Sequence, residues 1–324
     1  MHFSARHRWL TPVLAYLAAA LVLAFLSYSL PRMLPGDFVT AMYGSSDVTL
    51  TAQQEADLRT RYQEDPGFAA FLGRLFRLDW GYSHAFQGPV SSLFFDALPW
   101  TLLLMGTAHL LSSIVGFVLG VEAAWRRGRP VEKAGVGLMT VLEGIPELCS
   151  GALLLLVFAL HLGWFPAAGA RTAYADHTVM QQAADILHHL ALPLTTLVLA
   201  YFPGNFLLAR AGMVMVMKHP FVLTARAKGL PPVRVRYAHA ARNALLPLVT
   251  RFGLRFAFMI TGALVVETIF SYPGLGTLLF NAIALRDLPL IQGIVLAASI
   301  MVLAVNLAME FVYTLLDPRV AHAS

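Results

Sequence analysis

The chain has one cysteine in 324 residues, Cys149. That excludes an intramolecular disulfide and any multi-cysteine metal cluster. Charge is scarce too: 13% of residues are Asp, Glu, Lys or Arg, against 58% hydrophobic. Ordinary soluble domains carry about a quarter charged residues, so a soluble protein of this composition lacks the polar surface to cover itself. Disordered, collagen-like and disulfide-scaffold classes are excluded on the same grounds. The G-x-x-x-x-G-K-[ST] phosphate loop, the H-E-x-x-H zinc motif and the G-x-S-x-G nucleophile elbow are all missing. The chain therefore holds no ATP site of the first kind and no hydrolytic site of the other two.

What the sequence has instead is long apolar runs. A spanning helix needs about 20 apolar residues to cross about 30 Å of hydrocarbon. Residues 9–31, 97–121 and 148–170 are uncharged throughout, and the third run is expected to begin its helix upstream, near Ala134. Residues 190–209 and 289–309 supply two more spans. Residues 244–270 are apolar overall but carry Arg251, Arg255 and Glu267, so this fifth span is the least clean. About six transmembrane helices are expected in an all-α membrane protein. The first run exceeds a signal-peptide core in length and no small-x-small cleavage site follows it, so a retained helix is expected.

The net charge of +5 is distributed asymmetrically. Arg6 and Arg8, the Arg126-Arg127-Gly128-Arg129 loop with Lys133, the stretch 218–255 with eight basic and no acidic residues, and Arg319 fall on one side of a six-span layout. Basic loops stay in the cytoplasm, which puts both termini inside and leaves no reason to invoke nucleic acid. Residues 33–80 hold seven acids and form the large extracytoplasmic insert. Within it, Thr51 with Gln54 reads as a capping box opening a helix to Tyr62. Pro66-Gly67 breaks that run, and a short amphipathic piece follows over 68–78. Residues 166–189 read as a polar connection. Ser271-Tyr272-Pro273-Gly274-Leu275-Gly276 reads as a turn-rich re-entrant or interfacial element.

The basic stretch carries the most information. Phe221 to Leu230 reads as a short helix, Gly229 permits a turn, Pro231-Pro232 breaks the chain, and 233–246 resumes as a second basic helix. Ala225 and Ala227 leave room for close packing against a partner. A loop that merely sets topology is the plain alternative to a docking surface.

Blocks spread over residues 34–320 carry a resemblance. They are Leu34-Pro35-Gly36-Asp37, Asp79-Trp80-Gly81-Tyr82-Ser83, Leu162-Gly163-Trp164-Phe165-Pro166 with Gly169, and Thr224-Ala225-Arg226-Ala227-Lys228-Gly229-Leu230. Further on stand Arg242-Asn243-Ala244-Leu245-Leu246-Pro247, Glu267 through Gly276, Arg286-Asp287 and Asp317-Pro318-Arg319-Val320. Together they resemble the inner-membrane permease of oligopeptide/dipeptide/nickel ABC importers, specifically the first subunit of the pair. The resemblance implies a type I importer permease fold in a bacterial inner membrane. It divides the chain into an N-terminal helix and insert (1–96), a transmembrane core (97–315) with a coupling loop at about 218–250, and a tail (316–324). It implies a second homologous permease, two cytoplasmic ATPases that hold ATP and Mg, and an extracytoplasmic solute-binding protein. The chain itself would be a non-catalytic transport subunit for peptides, nickel or related solutes, binding no cofactor. Thr224, Ala225, Arg226, Ala227, Lys228 and Gly229 would couple to an ATPase. Glu267, Pro273, Gly274 and Gly276 would form an outer-mouth element. An ion-gradient carrier or membrane enzyme acting alone is the competing class.

One stretch departs from that family. Where small and aromatic residues are usual, this chain has Glu143-Gly144-Ile145-Pro146-Glu147. Glu143 and Glu147 are four apart, as are Arg251 and Arg255, and a 1.5 Å rise per residue puts both pairs at matching depth. Charges in a spanning helix cost about 2.5–3.5 kcal/mol even on lenient scales. Three readings stand: a structural ion-pair ladder, acids lining the pathway for cationic cargo, or acids near headgroup water beside a proline kink. His109, His161 and the His188-His189 pair read as packed or interfacial rather than as metal ligands.

Overall fold

The computed structural model describes residues 5–33, 38–43, 51–62, 67–257 and 264–316. The blocks at 34–37 and 317–320, both chain ends and the centre of the fifth expected span (258–263) lie outside the described residues. In chain order the elements begin with α1 (Ala5–Arg32), α2 (Phe38–Tyr43), α3 (Ala52–Tyr62), α4 (Gly67–Phe76), β1 (Tyr82–Ser83), β2 (Gly88–Pro89) and α5 (Val90–Trp125). Next come α6 (Pro130–Glu143), α7 (Glu147–Leu154), α8 (Val179–Val216), α9 (Pro220–Ala227), α10 (Pro232–Arg234) and α11 (Arg242–Ala244). The last are α12 (Leu246–Ala257), α13 (Leu264–Ile269), α14 (Leu275–Ala284) and α15 (Leu288–Leu316). Wide π turns at Leu155–His161 and Val235–Ala241 extend α7 and join α10 to α11.

Among the described residues, four helices are long and apolar enough to cross a membrane: α1, α5, α8 and α15. Segment Pro130–His161 makes a fifth if its bent halves count as one span. The halves meet at 92°. The cause is local: Pro146 has no N–H and disfavours helix at the preceding residue, and it adopts an extended ψ of 141°. This corrects one expectation. Glu143 ends α6 and Glu147 opens α7, so they do not share a face of one continuous helix. The fourth helix also starts earlier than expected, at Val179, because Thr178 N donates to Gln181 Oε1 at 2.9 Å and caps it. Thus residues 179–189, read as connection, are helical.

The chain divides into two compact units, Met1–Pro99 with Gly274–Ser324, and Trp100–Pro273. In the first, α1 and α15 pack together, and Gln292 Nε2 donates to the Tyr28 carbonyl at 3.3 Å. Phe68 of α4 sets its ring against Phe25 and Tyr28 of α1 at 5.4 and 5.5 Å. The insert helix α3 carries the expected cap, with Thr51 N on Gln54 Oε1 at 3.0 Å. The Asp79-to-Ser83 block and Asp287 meet: Ser83 Oγ donates to Asp287 Oδ2 at 2.7 Å, and the Ala85 N–H donates to the same oxygen at 2.9 Å.

The second unit is organised by α5 and α8. A Cβ on Gly116 would lie 2.8 Å from Asn205 Cβ, and one on Gly120 would lie 2.6 Å from the Phe206 carbonyl oxygen. The two backbones therefore touch. Small residues four apart allow this approach inside a membrane, where burial of apolar surface supplies no drive between helices. Asn205 Nδ2 donates across the contact to Ser112 Oγ at 3.3 Å.

Gly120→Ala is expected to lower stability by about 1–3 kcal/mol through overpacking. Gly137→Ala, where a Cβ meets nothing within 4 Å, is expected to be neutral or to stabilise by up to about 1 kcal/mol. Thermal unfolding of the two purified variants checks the contrast.

Candidate functional site

The loop after α8 folds back onto the Trp125 end of α5. Pro220 occupies the first turn of α9, where its missing N–H costs nothing, and the helix ends at a turn in which Gly229 has φ +70°. A Cβ at Gly229 would meet nothing within 4 Å, so the demand for glycine there is conformational rather than steric. Val222 and Ala225 are buried in a cluster with Val121, Ala124, Met213 and Ala240. This corrects the reading of Ala225 as partner-facing: it seats α9 on the chain's own core. Thr224, Arg226, Ala227, Lys228 and Gly229 are exposed, as are Phe221 and Leu223. The expected second basic helix over 233–246 is present as one helical run, α10, a π turn and α11, ending at Ala244, with α12 opening at Leu246 and taking Pro247 in its first turn.

Trp125 clasps this assembly. The guanidinium carbons of Arg226 and Arg236 each lie 5.0 Å from its ring centroid, a cation–π arrangement that joins α9 and the π turn to α5. Arg236 also pairs with Glu122, and Tyr237 Oη donates to the same carboxylate at 2.8 Å. Partial burial and that carboxylate push the Tyr237 phenol up, so it remains a donor. One turn of chain further, buried Glu132 of α6 accepts from Arg210 Nε of α8 at 2.9 Å and from the Gly128 N–H at 3.2 Å. The sequence reading missed these groups. The signal was present in Glu122 and Glu132, acids standing among basic loops next to apolar helices.

The four charges of the third and fifth expected spans converge on α8. A side chain at Gly204 would begin 2.5 Å from Arg251 Nη2 and 2.7 Å from Glu143 Oε1. Arg251 Nη1 donates to the Gly204 carbonyl at 2.9 Å. Arg255 Cζ lies 4.7 Å from the Tyr201 ring centroid, one turn away along α8. Tyr201 stacks on His109 at 4.7 Å and 14°. Arg255 interacts electrostatically with both Glu143 and Glu147, and Glu147 interacts with Arg255. Glu143 and Arg251 thus meet at Gly204, Arg255 lies on Tyr201 one turn away, and both acids act on Arg255.

Glu267 is fully buried and accepts from Thr101 Oγ1 at 2.6 Å, and its own carbonyl takes the Tyr272 N–H at 2.8 Å. Trp100 meets Tyr272 edge-on at 6.0 Å. Pro273 lines a recess of about 710 Å³ with Trp100, Arg171, Tyr174, Asp176 and Asp185. Asp185 holds Thr172 through its N–H and Oγ1, both at 2.7 Å. Gly274 and Gly276 are buried, at the start of α14 in the other unit.

Apolar spans, a folded-back basic loop and charges gathered against α8 describe a multi-helix membrane protein. A family model described as "Binding-protein-dependent transport system inner membrane component" matches residues 116–322. The chain belongs to that family, and the resemblance read from its motifs holds. It is similar to the oligopeptide transport system permease protein AppB of Bacillus subtilis, 34% identical over 93% of this chain and 94% of that one. The di/tripeptide transport system permease protein DppB of Pseudomonas aeruginosa is also 34% identical, over 92% and 93%. A probable peptide ABC transporter permease protein, y4tP of Sinorhizobium fredii, is 32% identical over 97% and 98%.

Arg251→Met is expected to destabilise the protein by about 1–2 kcal/mol, because the Gly204 carbonyl loses a charged donor and Glu143 a neighbouring cation. Adding Glu143→Gln should recover part of that loss. Thermal melts of the single and double variants measure it.

Proposed function

We propose that this chain forms half of the translocation pore of an ATP-driven peptide importer. In this reading it crosses the inner membrane six times with both termini inside and pairs with a second, homologous permease. Two cytoplasmic ATPases carry the ATP and Mg; an extracytoplasmic binding protein delivers the cargo. The curated relatives quoted above carry peptide names, which favours peptides over nickel as cargo.

The observation that carries the coupling role is the outer face of α9. Phe221 and Leu223 are 42% and 57% exposed, beside exposed Arg226 and Lys228. Phe221 and Leu223 are two apart and so lie on opposite flanks of that face, with exposed Thr224 and Ala227 between them. Apolar side chains left exposed beside cations suit a protein interface better than a loop that only sets topology. Val222 and Ala225 anchor the other face, and Trp125 ties the helix to α5 through Arg226. Closure of the ATPase pair would displace α9, and α5 would follow, because the two are clasped. The chain then passes between two states that ATP binding stabilises differently. Glu267 and the Pro273 recess fit a role at the outer mouth, the Glu267 carboxylate by tying the segment before the turn to Thr101 of α5.

The test is a cysteine crosslink. In a Cys149→Ser background, Leu223→Cys is expected to capture an ATPase subunit in the assembled importer, whereas Ala225→Cys, facing inward, is expected to capture none. Failure at Leu223, or labelling of that position from the periplasm, overturns the coupling role. Peptide uptake by this chain alone in vesicles without ATP overturns the importer reading.

A further inference from the structure

The charged cluster beside Tyr201 has more polar capacity than its internal contacts use. Glu143 is exposed and Glu147 partly exposed on a bent pair of helices apolar enough together to cross a membrane, and Arg251 and Arg255 are partly exposed on α12. Charges at that depth do not face lipid; they face water or protein within the assembly. The two halves of the cluster differ. Arg251 is committed, hydrogen-bonded to the Gly204 backbone with Glu143 beside it. Arg255 instead lies against the face of Tyr201, and the contact described there is a cation–π one that leaves guanidinium N–H groups directed elsewhere. Behind Tyr201, His109 is 97% buried and its Nε2 has no hydrogen-bond partner among the described residues, and Arg255 acts on it electrostatically. The site also sits at the break between α6 and α7. Discontinuous helices at membrane depth are where transporters place polar binding groups.

We propose that Glu147 and Arg255, backed by Tyr201 and His109, form a mixed-sign way-station in the translocation path that receives charged groups of a peptide in transit. Glu147 takes ammonium or guanidinium groups and Arg255 takes carboxylates, while Glu143 and Arg251 hold the bundle together. The site carries both signs and no net charge, which matches a zwitterionic cargo better than a metal cation or an anion. This inference rests on the peptide-importer reading and adds to it a site within the pore.

The experiment uses the assembled importer in proteoliposomes with its binding protein, and three tripeptides with free termini: Ala-Ala-Ala, Ala-Lys-Ala and Ala-Glu-Ala. Glu147→Gln is expected to slow the lysine peptide about tenfold relative to the alanine peptide, as loss of a charge-assisted hydrogen bond implies. Arg255→Gln is expected to do the same to the glutamate peptide. Co-purification of the partner subunits reports assembly. If a neutral variant fails to assemble, Glu147→Asp and Arg255→Lys replace it: a change confined to one charged peptide supports the site. Equal slowing of all three peptides makes the residues a structural pair and overturns it, as does no change in any rate. Wild-type importer that moves none of the three overturns the peptide reading itself, and this assignment with it.

Discussion

Two helix backbones in contact set the position of nearly everything described in the second unit. Gly116 and Gly120 let α5 lie directly on α8 at Asn205 and Phe206. Contact this close gains dispersion energy along the whole seam, which matters where no apolar surface is being removed from water. His109 lies two turns to one side of that contact on α5, and Tyr201 and Gly204 lie beside it on α8. Glu122 and Trp125 follow within two turns on the other side. A shift of one helix along the other would therefore separate His109 from Tyr201 and move Trp125 away from the loop at once.

Charge inside the bundle is managed by pairing rather than by exclusion. Glu132 with Arg210, Glu122 with Arg236, and Glu143 beside Arg251 each set an acid on one helix against a cation on another segment. Of these, only Glu132 is buried, and removing Arg210 from it would be costly, whereas the partly exposed pairs add little net stability. Their effect is on register: each fixes which turn faces which. Gly204 is part of the same arrangement, since any larger residue would occupy the space taken by Arg251 and Glu143.

Much of this was readable in the sequence, for identifiable reasons. Apolar runs of 20 residues and more located α1, α5, α8 and α15, because length and hydropathy alone decide such spans. Thr51 with Gln54 marked the start of α3 through a capping pair that acts within one turn. The family was legible from Thr224 to Gly229 and from Glu267 to Gly276. The bend at Pro146 was less so: proline in a spanning helix can kink it or break it, and only the neighbouring helices decide which. Ala225 shows the same limit. A small residue signals close packing, but whether the neighbour is a partner or the chain's own Val121 and Met213 depends on where the loop folds. The Trp125 clasp joins residues about 100 positions apart, and no periodicity announces such a contact.

The right-angled break between α6 and α7 also bears on how the protein enters the membrane. The 14 residues of α6 reach about 21 Å at 1.5 Å each, short of a bilayer's hydrocarbon thickness of about 30 Å. Neither half can be threaded into lipid as an independent stop-transfer segment. Both must be accommodated against helices already in place, with α8, made later on the ribosome, completing their shelter. Biogenesis of this region is thus a cooperative event that waits for downstream sequence, not a span-by-span insertion.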